Sequence, residues 1–271
     1  MIPAAKSRLF RHIFALYQSV YLFPRYLHGV YLSGELDAAA DVAEGANSAH
    51  FDPVVQNIPS SAPVQRKQRL PVLYAANHVS WWDGLVLFQL TERLTRSDPY
   101  ILMDERGLRQ YPFFRRLGAF SVNRERPRDV LAALTYAEQR LRSGCPVWIF
   151  PQGAITPPEL SVEAQNGIGQ LLCRLGAAEV RPVTLHYVLG DHQKPAATVK
   201  AGRPLTLDWS GLSRAEAASL VADRLQNQAE EHRRELAEHP LPDKGGSFRL
   251  VLSGGRSTSD RYRSWKERWG R

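Results

Sequence analysis

The stretch "PVLYAANHVSWWDGLVLFQL", residues 71–90, opens on one apolar run and closes on another, with a histidine, an aspartate and two tryptophans between them. The first run reads as a buried strand, and "WWDGLVLFQL" as a helix beginning near Trp81. A strand that turns directly into a helix is the working unit of α/β architecture. In such a turn His78, on the loop, can fold back toward Asp83 in the first helical turn. The pattern H-x4-D occurs a second time, from His186 to Asp191 in "VTLHYVLGD". There, β-branched and aromatic residues run as a strand into Gly190. Five extended residues cover roughly 17 Å and put the two side chains on opposite faces. The first pair is the catalytic candidate and the second a decoy.

Alternation of the same kind continues outward. "PVLYAA", "PYILMD", "AFSVNR", "PVWIFP", "VRPVTLHYVL" and "ATVKAG" predict strands, and the stretches near 82–95, 105–116, 127–143, 163–175 and 213–237 predict helices. The last helix opens on Ser213 with Glu216 three residues on, a capping box. The expected fold is α/β, with a mixed, largely parallel sheet flanked by helices over residues 71–240. Residues 1–32 precede it as an amphipathic helical segment, 33–70 as an irregular connection, and 241–271 follow as a basic tail. Ligands of such sheets collect beyond the carboxyl ends of the strands. Here those ends lead into "NHVSWWDG", "NRERPRD" and "FPQGAITPP".

A chain of 271 residues with 44% apolar content can bury one large core, which argues against a disordered protein. Cys145 and Cys173 show no metal or redox spacing, so they read as two buried thiols of a reducing compartment, with no disulfide framework and no metal site. The net charge of +8 sits at the ends. Residues 1–32 contribute +4 and residues 244–271 contribute +6, leaving −2 for everything between. Basic ends suit nucleic acid or an anionic membrane, and the interleaved residues choose between them. "RLFRHIFALYQSVYLFPRYLHGVYL" (8–32) is more apolar than a nucleic-acid arm requires. Its uncharged run, Ile13 to Pro24, is too short for the ~20 residues that span a bilayer. No small-residue cleavage site closes it, which argues against a secretory signal. The segment is expected to lie on an anionic membrane surface, making the protein peripheral on the cytoplasmic face. The alternative is a helix packed on its own core. In "STSDRYRSWKERWGR" (257–271), Tyr262, Trp265 and Trp269 fall on one helical face among basic residues, with the same two readings open.

Four ordered blocks resemble the lysophosphatidic acid and glycerophospholipid acyltransferases. Asn77, His78, Asp83 and Gly84 match N-H-x4-D-G, and Gly118, Phe120 and Arg124 match G-x-F-x3-R. Phe150, Pro151 and Gly153 match F-P-E-G-T-R-S, and the apolar strand around Pro182 matches the fourth block. The resemblance covers about Pro71 to Pro204 and implies acyl transfer from a CoA or acyl-carrier-protein thioester to an alcohol. Neither cofactor nor metal is implied. His78 would act as general base, with Asp83 fixing its tautomer. Asn77, Ser80, Arg124, Pro151, Gln152, Gly153 and Ala154 would bind the acceptor, a membrane lipid.

Two departures bear on that acceptor. Gln152 stands where the family pattern has Glu, and Ile155 where it has Arg. Loss of that arginine weakens the case for a phosphorylated acceptor, while Arg124, Arg126 and Arg128 keep an anionic headgroup open; these three also read as a solvated basic turn. Gln152 suits a neutral hydroxyl-bearing group. The stretch from Met103 to Asp129 and "FPQG" resemble a branch that includes acyltransferases acting on glycosylated carotenoids. Of Trp81 and Trp82, one is expected in the core and the other on the wall of an acyl channel. The competing functions are a thioesterase-like hydrolase, with water as acceptor, and a non-catalytic basic membrane-binding protein. Nucleic acid is not an expected partner.

Overall fold

A computed structural model describes residues 1–36, 70–240 and 245–269. Its strands are β1 (Gly29–Ser33), β2 (Val72–Ala76), β3 (Tyr100–Asp104), β4 (Ala119–Val122), β5 (Val147–Ile149), β6 (Ala177–Val188), β7 (Ala196–Ala201), β8 (Leu205–Asp208) and β9 (Arg249–Ser253). They form one mixed sheet in the order β4-β3-β5-β2-β6-β7-β1-β9, with β8 beside the first half of β6. Five pairings are parallel; β6–β7, β6–β8 and β1–β9 are antiparallel.

Period-two alternation splits the core into two layers. From β2, Leu73 and Ala75 join Val147 and Ile149 of β5 beneath three helices: α6 (Pro127–Arg142), α7 (Asn166–Leu175) and α8 (Arg214–Glu238). Tyr74 and Ala76, with Trp148, face the opposite layer, where α3 (Asp83–Leu94) buries Leu85, Leu87 and Leu90. Each buried leucine contributes about 1.5–3 kcal/mol by leaving water.

The N-terminal segment docks on α3 by the polar side of its helix. It comprises α1 (Arg8–Tyr17), a π turn (Gln18–Leu22) and α2 (Phe23–Tyr26). Arg11 Nε donates to Glu92 Oε1 at 3.0 Å, Phe14 packs on Phe88 and Phe113, and buried Gln18 donates to the Leu85 carbonyl. The other side carries Leu9, Ile13, Leu16 and Val20, all more than half exposed. Pro24 has no N–H to give to the preceding turn, which is where the helix widens into π geometry. Among the described residues, no helix is long and apolar enough to cross a membrane.

The sequence boundaries need correction at three places. Residues 1–32 are not wholly helical: Gly29–Ser33 is β1, buried between β7 and β9. Residues 241–271 are not a tail, because β9 pairs with β1 and α9 (Thr258–Trp269) follows it. The net charge of that region masked the alternation in "RLVLS", where Leu250 is exposed and Leu252 buried. The helix expected over 105–116 is two, α4 (Glu105–Gln110) and α5 (Phe114–Leu117), because Pro112 interrupts it. The strand β8 was not anticipated. Most of the expected connection at 33–70 lies outside the described residues.

On α8, His232 is buried with Nδ1 against the Thr184 hydroxyl and Nε2 against that of Thr198, both at 3.0 Å. Burial, reinforced by neighbouring His186 and Lys200, holds its pKa down at about 3. The unfolded chain takes up this proton near pH 6.5 and the folded protein resists it. Stability therefore falls as pH drops from about 6.5 toward 3, by up to about 1.4 kcal/mol per pH unit from this group. Chemical denaturation across that range should give a shallower slope for His232→Gln than for the wild type. Equal slopes would remove His232 as the cause.

Candidate active site

The loop between β2 and α3 is folded around the Asp83 carboxylate. Asp83 is fully buried, and its Oδ2 accepts from the N–H groups of Val79 (2.7 Å) and Ser80 (2.9 Å) and meets His78 Nδ1 at 2.8 Å. Its Oδ1 accepts from the Tyr187 hydroxyl at 2.8 Å. A carboxylate only accepts, so the proton on the histidine belongs to Nδ1 and the neutral ring keeps its lone pair at Nε2. Nε2 has no hydrogen-bond partner among the described residues, and His78 lines the main cavity. The ring stacks on Phe150, with centroids 4.2 Å apart and planes 17° from parallel. Ring and carboxylate are thus held in place before any ligand arrives.

Tyr187 was not singled out from the sequence. It lies 104 residues from Asp83, so no short motif links them. The available signal was strand alternation, which places Tyr187 on the same face of β6 as Leu185, toward α3. Burial first, and then the Asp83 charge, push its hydroxyl well above the usual tyrosine range. Tyr187 therefore stays protonated and serves as a donor. The decoy His186 faces the α8 side of β6, near His232 and Arg233, with burial and then Arg233 lowering its pKa.

Gln152 is placed differently from the expectation that it reads the acceptor. It is buried, its Oε1 accepts from the His78 N–H at 2.7 Å, and its Nε2 donates to the Thr156 hydroxyl. Thr156 in turn donates its N–H to the His78 carbonyl at 2.9 Å. Both ends of the amide are turned to the loop that carries His78, so this residue positions His78. Asn77 is also committed internally: its side chain donates to the Leu185 carbonyl (3.1 Å) and accepts from the Leu185 N–H (2.7 Å), clamping the loop onto β6. Ser80 Oγ accepts from Trp82 N–H at 3.2 Å.

Arg124, Pro151 and Gly153 do line the cavity; exposed Ala154 does not. Gly153 has φ +73°, and a Cβ there would sit 2.8 Å from the Arg124 guanidinium. Glycine is needed for both the turn and the arginine's place across it. Arg124 is exposed at this end of the cavity and has no carboxylate partner among the described residues. Arg126 and Arg128 do not line it. Trp81 is wall and Trp82 packs inward against Phe23 and Tyr26.

The cavity measures about 660 Å³. β3 and β5 share two register pairs, Tyr100–Val147 and Ile101–Trp148, after which no pairing holds them together. Lining residues come from both layers at this gap: Leu134 and Ile168 from one, Leu87 and Phe114 from the other. The result is a deep apolar chamber with His78 and Arg124 in its wall. Among the described residues, no group of three His, Cys, Asp or Glu side chains could hold a metal ion.

Residues 56–186 match the family model described as Acyltransferase. A search of curated proteins found no match to the chain. Among solved structures, the chain is similar to the 1-acyl-sn-glycerophosphate (LPA) acyltransferase PlsC from Thermotoga maritima, with a TM-score of 0.47 and 15% identity over 83% of this chain and 89% of that one. The matched region contains His78, Asp83, Arg124 and the loop of Gln152, so the likeness to the acyltransferase family falls on the residues of this site.

Proposed function

We propose that the protein transfers a fatty acyl group from a thioester, of CoA or of acyl-carrier protein, to a hydroxyl of a lipid acceptor. One observation carries the reading: a histidine with Nδ1 fixed by a buried carboxylate and Nε2 unengaged, in the wall of an apolar chamber. In the proposed step, Nε2 takes the proton of the acceptor hydroxyl as its oxygen bonds to the thioester carbonyl carbon. The C–S bond then breaks, and the departing thiolate takes the proton from the imidazolium, leaving ester and free thiol. Asp83 stabilises the imidazolium between the two events. The chamber is suited to the acyl chain, since apolar walls reward burial of each methylene by about 0.8 kcal/mol.

A glycerolipid acceptor with an anionic headgroup fits Arg124, whose planar guanidinium makes paired bonds to phosphate. Gln152 no longer argues for a neutral acceptor, because its amide serves the His78 loop. The exposed apolar stripe of α1 suits docking on a membrane surface, where such an acceptor resides.

His78→Ala should still fold, with a melting temperature lowered by the loss of one of Asp83's donors, and should lower turnover by about 10²–10⁴, whereas His186→Ala should keep its activity. Near-normal turnover by folded His78→Ala sinks the mechanism. If the products show free fatty acid at a rate indifferent to added acceptor, the protein is a hydrolase instead.

Arg124→Ala should raise KM about 10–100-fold for a phosphorylated acceptor, the worth of a charge-assisted hydrogen bond, and leave a neutral acceptor unaffected. Equal effects on both acceptors would show that Arg124 does not read the headgroup.

Gln152→Glu should fold, because a carboxylate can still accept from the His78 N–H while the Thr156 hydroxyl rotates to donate. The added negative charge favours the imidazolium, so the acid limb of the pH–rate profile should move to higher pH. An unshifted limb would place Gln152 outside the electrostatic reach of the base.

A further inference from the structure

The C-terminal helix α9 is the second amphipathic surface of the molecule. Its rings Tyr262, Trp265 and Trp269 follow one another at helical spacing and are 64%, 58% and 71% exposed. The segment 255–271 carries six basic residues against Asp260 and Glu267, and Lys266 and Arg268 stand exposed beside the rings. Asp260 is occupied at the helix start, where its carboxylate accepts from both the N–H and the hydroxyl of Ser257.

The root of this helix is anchored. Thr258 N–H donates to Gln193 Oε1 at 3.1 Å. Lys194 Nζ donates both to the Pro24 carbonyl (2.6 Å) and to that of Gly255 (3.2 Å), tying the α9 root to α2. Gly255 lies so close that a Cβ would come within 2.0 Å of the Pro24 oxygen. From Pro24 the chain leads back into the exposed stripe of α1, and on to Tyr26, whose ring packs on Trp82 next to Trp81 of the cavity wall. Both amphipathic elements therefore spring from one junction beside the active site.

We propose that α9 is a docking element for an anionic lipid surface, acting with α1 to hold the cavity mouth at the membrane. The charge decides the occupant. Tyrosine and tryptophan settle at the membrane–water interface, and a cationic rim around them is matched by anionic headgroups. The inference rests on the membrane reading of α1; vesicle binding and melting decide it, and micellar activity reports on the acyl-transfer reading separately.

Purified full-length protein and two exposed-surface variants, Trp265→Ser/Trp269→Ser and Lys266→Glu/Arg268→Glu, are titrated with phosphatidylcholine vesicles, with and without phosphatidylglycerol. Sedimentation reports binding, thermal melting reports folding, and activity is measured in detergent micelles. Both variants should melt like the wild type, retain micellar activity, and bind phosphatidylglycerol vesicles at least about tenfold more weakly, as expected for losing several interfacial and cationic contacts. Wild-type binding should weaken by a similar factor when phosphatidylglycerol is omitted or salt is raised. Variants that bind as tightly as the wild type, or wild-type binding indifferent to phosphatidylglycerol, would overturn the proposal. A loss of melting temperature in these variants would overturn it too, by showing that the face is structural.

Discussion

The Asp83 carboxylate is the constraint around which the site is built. A buried charge is tolerated only when hydrogen bonds replace its hydration. Here four donors do so: two backbone N–H groups of its own loop, the His78 ring and the Tyr187 hydroxyl. Three of them come from residues within five positions of Asp83, so satisfying the charge forces the β2–α3 loop to close on itself. The fourth ties that loop to β6. Its place in the first turn of α3 adds a favourable interaction with the helix dipole.

Around this charge a second set of bonds fixes the loop's other edge. Gln152 and Thr156 hold the backbone of His78, and Asn77 completes a pair of bonds with Leu185. Side chains that a motif presents as ligand-binding thus divide by their neighbours. Arg124 and Trp81 face the chamber, whereas Asn77 and Gln152 hold His78 in register. The division follows from placement, because both ends of each buried amide are turned to the backbone or side chains of the loop and of β6.

The chamber owes its depth to sheet geometry. Two register pairs join β3 to β5, and the interval beyond them opens to side chains from both layers. The same sheet recruits the chain ends: β1 lies between β7 and β9, so the segments before and after the α/β repeat complete one edge and carry α1 and α9 with them. Packing α1 through Arg11, Phe14 and Gln18 leaves its aliphatic stripe facing outward.

The sequence by itself determined the α/β class, six of the strands, most of the helices and the pairing of His78 with Asp83, because each is written in local periodicity or within one turn. It also told the decoy His186 from His78, since extended and turning backbones put an i, i+5 pair in opposite relations. Tertiary structure alone decided what distance along the chain conceals. Tyr187 meets Asp83 only because β6 lies beside β2, and Gln152 meets His78 only because β5 does. Local pattern could not show that β1 and β9 pair across most of the chain's length, that Pro112 splits a helix in two, or which tryptophan turns inward. Those outcomes depend on which neighbours remain to satisfy a backbone group or cover a ring, and neighbours are fixed only when the sheet has closed.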